Sequence, residues 1–308
     1  MSVVVLGNMN VDVVLVVDRL PGADEEALAL EALELPGGSA LNTAIALSRL
    51  GARVRFVGCV GRDGYGDMLL RKAREEGVDT GLVRRSDRPT GRVIVMVERD
   101  TGRRSMVALR GANEEVANYP LRPEDLEGAD ILHVSGARLE VVKGAFAVAR
   151  ARGVKTSYDP GSVAVRGDME RLREVLEEVD VLFLNTAEAA ELANRGLTLE
   201  RLRDMVSMVV VKRGELGAEA YSGGVSVFRR AFRVNVVDTT GAGDAFAAGF
   251  LWALLNGLDL GSALVMANAT AAIKISRVGA QSSPRRHELA DFLRERGYAD
   301  LSQKLLRN

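Results

Sequence analysis

The sequence predicts an α/β fold: a doubly wound, mostly parallel sheet with helices on both faces, plus a small β-sheet lid. Three observations carry this. Short apolar runs alternate with longer amphipathic stretches along 308 residues, the rhythm of βαβ units. The runs are continuous rather than alternating, as in strands covered on both faces. Two regions break the rhythm, with successive strand patterns and no helix between them.

Val3–Gly7 reads as the first buried strand. Val11–Val17 and Ala27–Leu35 flank a turn at Pro21-Gly22 and form half of the lid. Ser39–Leu50 reads as a helix with Ser39 at its start and Gly51 just past its end. Val54–Val60 is a second core strand, and Gly66–Glu76 a charged helix closed by Gly77. Arg92–Arg99 and Arg104–Leu109 flank Asp100-Thr101-Gly102, a hairpin signal that completes the lid. The lid thus draws on about residues 11–35 and 92–110 of a single domain spanning 1–308. Ile131–Ser135, Lys155–Asp159, Val181–Asn185 and Met208–Lys212 are further strands. The last third is helical: Ala242–Leu255 before Gly257, then Gly261–Ile275 and Arg286–Arg296.

Composition excludes several classes of function. The net charge is −1, so no polyanion-binding face is expected, and nucleic acid is not a partner. No apolar stretch approaches the roughly 18 residues of a membrane span, so no membrane partner is expected. The one cysteine, Cys59, permits no internal disulfide, which fits a cytoplasmic location. His133 and His287 are the only histidines, and without a His/Cys cluster a zinc site is not expected.

The sharpest feature is Asp238-Thr239-Thr240-Gly241-Ala242-Gly243-Asp244-Ala245-Phe246. A glycine-rich turn here enters a helix, whose first N–H groups and positive dipole end make an anion cradle. Asp244 would face whatever the cradle holds, and a carboxylate beside a transferring phosphoryl group can accept a hydroxyl proton. There is no Gly-Lys-Ser/Thr and no G-x-G-x-x-G after the first strand, so neither a P-loop nor a Rossmann dinucleotide site is supported.

This string resembles the second signature of the ribokinase, or PfkB carbohydrate kinase, family. The likeness runs along the chain. Gly7-Asn8-Met9-Asn10-Val11-Asp12 is similar to the family's first substrate-binding strand, and Gly37-Gly38-Ser39-Ala40-Leu41-Asn42 to its first signature. Gly61-Arg62-Asp63-Gly64-Tyr65-Gly66, Asn185-Thr186-Ala187-Glu188 and Lys212-Arg213-Gly214-Glu215-Leu216-Gly217 resemble three further motifs.

The resemblance implies an ATP-dependent kinase acting on a small sugar or sugar-containing substrate. Asp244 would be the base, and the Gly241, Ala242 and Gly243 amides the anion hole. Asn10, Asp12, Gly38 and Asn42 would hold substrate hydroxyls. Asn185 and Glu188 would act through Mg²⁺-bound water, while Lys212, Gly214 and Gly217 line the nucleotide and Asn268 lies on its adenine side. Read alone, Glu188 is a first-turn helix charge, Lys212 a strand-end charge and Asn268 a helix-packing amide. The resemblance also implies K⁺ activation, through Asp238, Thr240, Lys274, Arg277, Gly279 and Ser283, and a homodimer formed through the lid.

Two positions depart from ribokinase itself. Ser39-Ala40 stands where ribokinases have Lys-Gly, and Gly136 stands where they place a ribose-binding Glu. A pentose-type acceptor, ribose or ribose 1-phosphate, is therefore expected, with a nucleoside as the alternative. A catalytically inactive sugar-binding or regulatory protein is the reading from another class.

Overall fold

The computed structural model describes residues 1–307. In chain order the elements are β1 (Ser2–Gly7), β2 (Asn10–Val17), β3 (Ala29–Gly37), α1 (Ser39–Arg49), β4 (Arg53–Gly61), α2 (Gly64–Glu75), β5 (Val78–Ser86), β6 (Gly91–Glu98) and β7 (Arg104–Leu109). They continue with β8 (Ile131–Ser135), α3 (Leu139–Ala151), β9 (Lys155–Asp159), α4 (Gly161–Arg166), α5 (Met169–Leu176), β10 (Val181–Asn185), α6 (Thr186–Asn194), α7 (Leu199–Met205) and β11 (Met208–Lys212). A hairpin, β12 (Ala218–Ser222) and β13 (Val225–Arg229), precedes α8 (Ala242–Leu255), α9 (Leu260–Ile275), α10 (Arg286–Glu295) and α11 (Ala299–Arg307).

The main sheet has nine strands in the order β13-β12-β11-β10-β9-β8-β1-β4-β5. Pairing is parallel except at β12 and β13. Alternate residues of one strand feed opposite cores. Val3 and Val5 join Phe183, Val210 and the faces of α1, α8 and α9. Val4 and Leu6 join Leu182, Val209 and the faces of α3 and α5. That double burial is why the strands read as unbroken apolar runs. His133 sits inside the sheet, fully buried, with Nδ1 2.9 Å from Ser157 Oγ. Burial pushes the imidazole down to about 4, so it is a neutral core residue.

The pattern missed β5, β12 and β13. All three lie at or near a sheet edge, where one face meets solvent and the apolar run is interrupted: β5 carries Arg84 and Arg85, and β13 is mostly exposed.

The lid is a separate four-stranded sheet, β3-β2-β6-β7. β2 pairs antiparallel with β3 and parallel with β6. Two residues, Asn8 and Met9, separate β1 from β2, so the lid springs directly from the main sheet. Asn113 fixes this link: its Oδ1 accepts from Met9 N at 2.9 Å and its Nδ2 donates to Asn10 Oδ1 at 2.8 Å. At the root of β6, Asp63 accepts from Thr90 N at 2.8 Å.

From β1 the chain winds outward to β4 and β5; from β8 it winds the other way. The crevice between the C-terminal ends of β1 and β8 is thus a topological switch point, where open α/β sheets bind ligands. The start of α1 is held over it by the β1–β2 link. Asn8 Oδ1 accepts from Ala40 N at 3.2 Å, and Asn8 O from Leu41 N at 3.3 Å. These contacts satisfy helix-start donors that Gly38, without a side chain, cannot cap.

Phe183, on β10, is fully buried and meets His133, Phe246 and Phe250 edge-on at centroid distances of 6.3, 6.4 and 5.5 Å. Phe183→Ala is expected to cost about 3–5 kcal/mol, read as a lower urea midpoint with an unchanged slope.

Candidate active site

A cleft of about 450 Å³ opens at the switch point, with Asn8, Asn10, Ser39, Arg110, Ser135 and Asp159 on its walls. The lid supplies Val93 and Ala108 as its roof. Asp244 lies behind Ser39, in the first turn of α8. Its Oδ1 accepts from Ser39 Oγ at 2.6 Å and its Oδ2 from Asn42 Nδ2 at 2.8 Å. A serine hydroxyl has one hydrogen; Ser39 gives it to Asp244, so Ser135 donates to Ser39 across their 2.6 Å contact. Burial pushes the Asp244 carboxyl above the usual carboxylate range. The Ser39 and Asn42 hydrogen bonds and the Lys212 charge oppose that rise, while the Asp159 charge adds to it.

Asn42, expected on the substrate, holds the carboxylate instead, and its Oδ1 accepts from Gln281 Nε2 at 3.2 Å. Asn10 does line the cleft. Asp12, next along β2, is pushed up to about 6, by burial first and then by the charges of Asp244 and Asp238. Gly38 has φ +98°, and a Cβ there would sit 2.6 Å from Asn8 O, so this glycine is required by the backbone packed beneath it. Gly136 has φ +67°, and a Cβ there would fall 2.4 Å from Asn8 Oδ1. The Asn8 amide thus fills the space that a side chain at 136 would need.

Of the expected anion hole, Ala242 N is turned to Thr239 O at 3.2 Å. Gly241 and Gly243 donate to no acceptor among the described residues. Gly241 has φ +77°, and a Cβ there would lie 2.5 Å from Ala280 O, so the turn and the 277–283 loop touch backbone to backbone.

Next to the hole lies a charge cluster from two strand ends and a helix start. Lys212 Nζ is 2.6 Å from Asp159 Oδ2 and about one atomic contact, 3.2 Å, from where a Cβ on Gly243 would be. Burial would lower the Lys212 ammonium, but Asp159, with the charges of Glu188 and Asp244, opposes it and the group is raised. Glu188 is buried; burial and then the Asp159 charge raise its carboxyl. It also closes a capping box: its Oε2 accepts from Asn185 N and Asn185 Oδ1 accepts from Glu188 N, each at 2.8 Å. Asp159 carried no motif, although a carboxylate ending an apolar strand on the sheet's ligand-binding edge was a usable signal. Asn8, Asn113, Ser135 and Gln281 were likewise missed as site residues, and Ser39 was read as a departure from ribokinase but not as a donor to Asp244, because each acts through a partner distant in sequence.

The charge balance here suits a divalent cation. Asp159 and Glu188 share one ammonium, and no group of three or more His, Cys, Asp or Glu side chains forms a closed metal cage among the described residues. Mg²⁺ typically keeps water and binds through one or two carboxylates plus phosphates. On the nucleotide side, Gly214 and Gly217 shape the β11–β12 turn with φ +58° and +118°. Asn268 Nδ2 donates to Arg229 O and Arg230 O, both at 3.2 Å, tying α9 to the end of β13.

Most of the groups expected around K⁺ are already engaged, although Ser283 Oγ is buried with no partner among the described residues. Asp238 Oδ1 accepts from Thr240 N and Oδ2 from Gly279 N, each at 2.9 Å. Lys274, with a fully buried side chain, donates Nζ to Asp238 O at 2.7 Å. Arg277 is paired with Glu288 at 2.6 Å, and Ser283 O accepts from Arg49 at 2.7 Å. The Lys274 ammonium thus already places a positive charge beside Asp238, the carboxylate expected to hold the ion.

Comparison with known proteins supplies the context. The profile of the pfkB family carbohydrate kinases matches residues 1–286. An ATP-dependent ribose-1-phosphate kinase of Halopiger xanaduensis is 36% identical over 290 residues, covering 94% of this chain and 97% of that protein. A ribokinase of Haemophilus influenzae is 30% identical over 306 residues, covering 95% and 98%. Among solved structures, a ribokinase from Thermotoga maritima superposes with a TM-score of 0.86 at 30% identity, covering 96% of this chain and 99% of that one.

Because Ser39 donates to the ionised form of Asp244, Ser39→Ala is expected to raise the carboxyl's pKa further. Carboxyl ¹³C NMR titration reads this directly: the Asp244 midpoint lies above the ordinary aspartate value of about 3.9 in the parent and higher still in the variant.

Proposed function

The chain belongs to the pfkB family of carbohydrate kinases, and from that premise we propose that it transfers the γ-phosphoryl group of Mg·ATP to a hydroxyl of ribose 1-phosphate, with ribose as the weaker acceptor. The observation that carries the chemistry is Asp244: a desolvated carboxylate next to free helix-start amides, joined to the cleft through Ser39. In this reading Asp244 takes the acceptor hydroxyl's proton. The Gly241 and Gly243 amides meet the charge that spreads onto the phosphoryl oxygens. Lys212 lies beside them, and Asn10 with Asp12 orients the sugar. Mg²⁺, held near Asp159 and Glu188, would neutralise phosphate charge when bound.

Arg110 favours the phosphorylated acceptor. Three arginines line the cleft. Arg138 and Arg171 both pair with Glu140, at 3.5 and 2.6 Å. Arg110 forms no ion pair among the described residues, and its own backbone is fixed through Asn113. A free guanidinium in a sugar cleft suits a phosphate.

A homodimer through the lid is part of the proposal. Val14, Val95, Leu33 and Met106 share one register row of the lid sheet, and Leu33 and Met106 are 45% and 62% exposed. A second copy of this sheet, equally apolar, is the matching occupant. Sedimentation velocity should show a dimer that Met106→Lys shifts toward monomer; a monomeric parent rejects this part.

The acceptor is tested by an ADP-release screen across ribose 1-phosphate, ribose, fructose, 2-keto-3-deoxygluconate and nucleosides. Ribose 1-phosphate is expected to give the highest kcat/KM. Asp244→Asn should cut kcat by about 10²–10⁴-fold. Arg110→Ala should raise KM for ribose 1-phosphate by about 10- to 100-fold, the scale of a charge-assisted hydrogen bond, with little change for ribose. A nucleoside as best acceptor overturns the substrate, and no turnover with any acceptor overturns the activity.

A further inference from the structure

Lys274 is the one fully buried lysine side chain among the described residues, and no step proposed above uses it. It projects from the last turn of α9 into the loop that leads to the anion hole. Its Nζ donates to Asp238 O at 2.7 Å and lies 3.8 Å from Asp238 Oδ2. Asp238 in turn fixes both sides of that loop, through Thr240 N before the glycines and Gly279 N on the opposing 277–283 segment. Ile275 O accepts from both Val237 N at 2.7 Å and Asp238 N at 3.1 Å, so the end of α9 grips the loop beside the ammonium. One positive charge, bonded to the Asp238 main-chain oxygen and near its carboxylate, therefore sits where the 238–243 turn meets the end of α9.

An ammonium group and a potassium ion are close in size, and both are satisfied by carbonyl and carboxylate oxygens. A buried ammonium also requires such partners, since an unpaired buried charge is strongly disfavoured. The interaction is thus mutual: Asp238 opposes the lowering that burial imposes on the Lys274 ammonium, and Lys274 holds the Asp238 main chain in place. We propose that Lys274 serves as a tethered monovalent cation, ordering the 238–243 turn, and that this kinase works without K⁺. The inference rests on the phosphoryl-transfer reading for its effect on rate, but not for its effect on structure. In this role Lys274 is a positioning residue; it acts through Asp238 and touches neither substrate nor nucleotide.

The test compares the parent with Lys274→Ala, which removes the ammonium and leaves room for an ion. Turnover and Tm are measured in tetramethylammonium chloride, KCl and NH₄Cl at one ionic strength. The parent should show the same turnover and Tm in all three salts. Lys274→Ala should lose about 10-fold or more of its turnover in tetramethylammonium, the loss expected when a charge-assisted hydrogen bond disappears. K⁺ or NH₄⁺, but not tetramethylammonium, should restore turnover saturably and raise the variant's Tm, as a ligand specific to the native state does. Saturable activation and a Tm rise of the parent by K⁺ would overturn the proposal, and that measurement stands even if Lys274→Ala does not fold. A folded Lys274→Ala indifferent to K⁺ in both readouts would overturn it as well. If the parent turns over no acceptor, the functional reading fails, while the response of its Tm to K⁺ still decides the structural one.

Discussion

The site depends on a single desolvated carboxylate held between two helix starts. Asp244 belongs to α8 and its donors Ser39 and Asn42 to α1, 205 and 202 residues away in sequence. Burial disfavours the ionised form; two hydrogen bonds and the nearby Lys212 ammonium oppose that effect. That balance requires the two helices to dock without slack, and the docking is set by backbone. Asn8 caps α1 from the end of β1, and Gly241 abuts Ala280 with no Cβ between them. The conformation of a turn thus governs the protonation of a side chain.

The charges around Asp244 fall into two groups, one on each side of the carboxylate. Asp159, Glu188 and Lys212 come from the ends of β9, α6's first turn and β11, and face the phosphate side. Asp12 comes from the lid and Asp238 from the anion loop; burial first, then the charges of Asp244 and Asp238, carry the Asp12 carboxyl up to about 6. A positive acceptor or a metal ion in the sugar half would relieve this repulsion, but so would hydroxyl donors, which a pentose has in number.

Much of this was legible in the sequence. The core strands and most helices announced themselves because double burial demands unbroken apolar runs. The glycine-rich turn and Asp244 were visible because phosphate cradles use few residue types. What could not be read were relations between distant residues. Asn42 matched a substrate-binding position, yet its amide is committed to Asp244 and Gln281. Asp159 belongs to no motif and takes its meaning from the strand it ends, and Asn8, inside a matched motif, takes its meaning from the helix start it caps. Edge strands β5 and β13 escaped because exposure removes the pattern. Lys274 sat within the matched cation loop, but only the fold shows where its side chain ends.

The lid's roots bear on how such proteins can be re-engineered. β2 leaves the main sheet after two residues, Asn113 bonds both Met9 and Asn10 across that link, and Thr90 at the base of β6 is bonded to Asp63. No flexible tether separates cover from floor. A lid transplanted from a relative would therefore have to bring residues 8–38 and 90–113 together as one graft, Asn8 and Asn113 included. A hairpin exchanged by itself would arrive with its anchors mismatched and would disturb the start of α1, and through it the carboxylate.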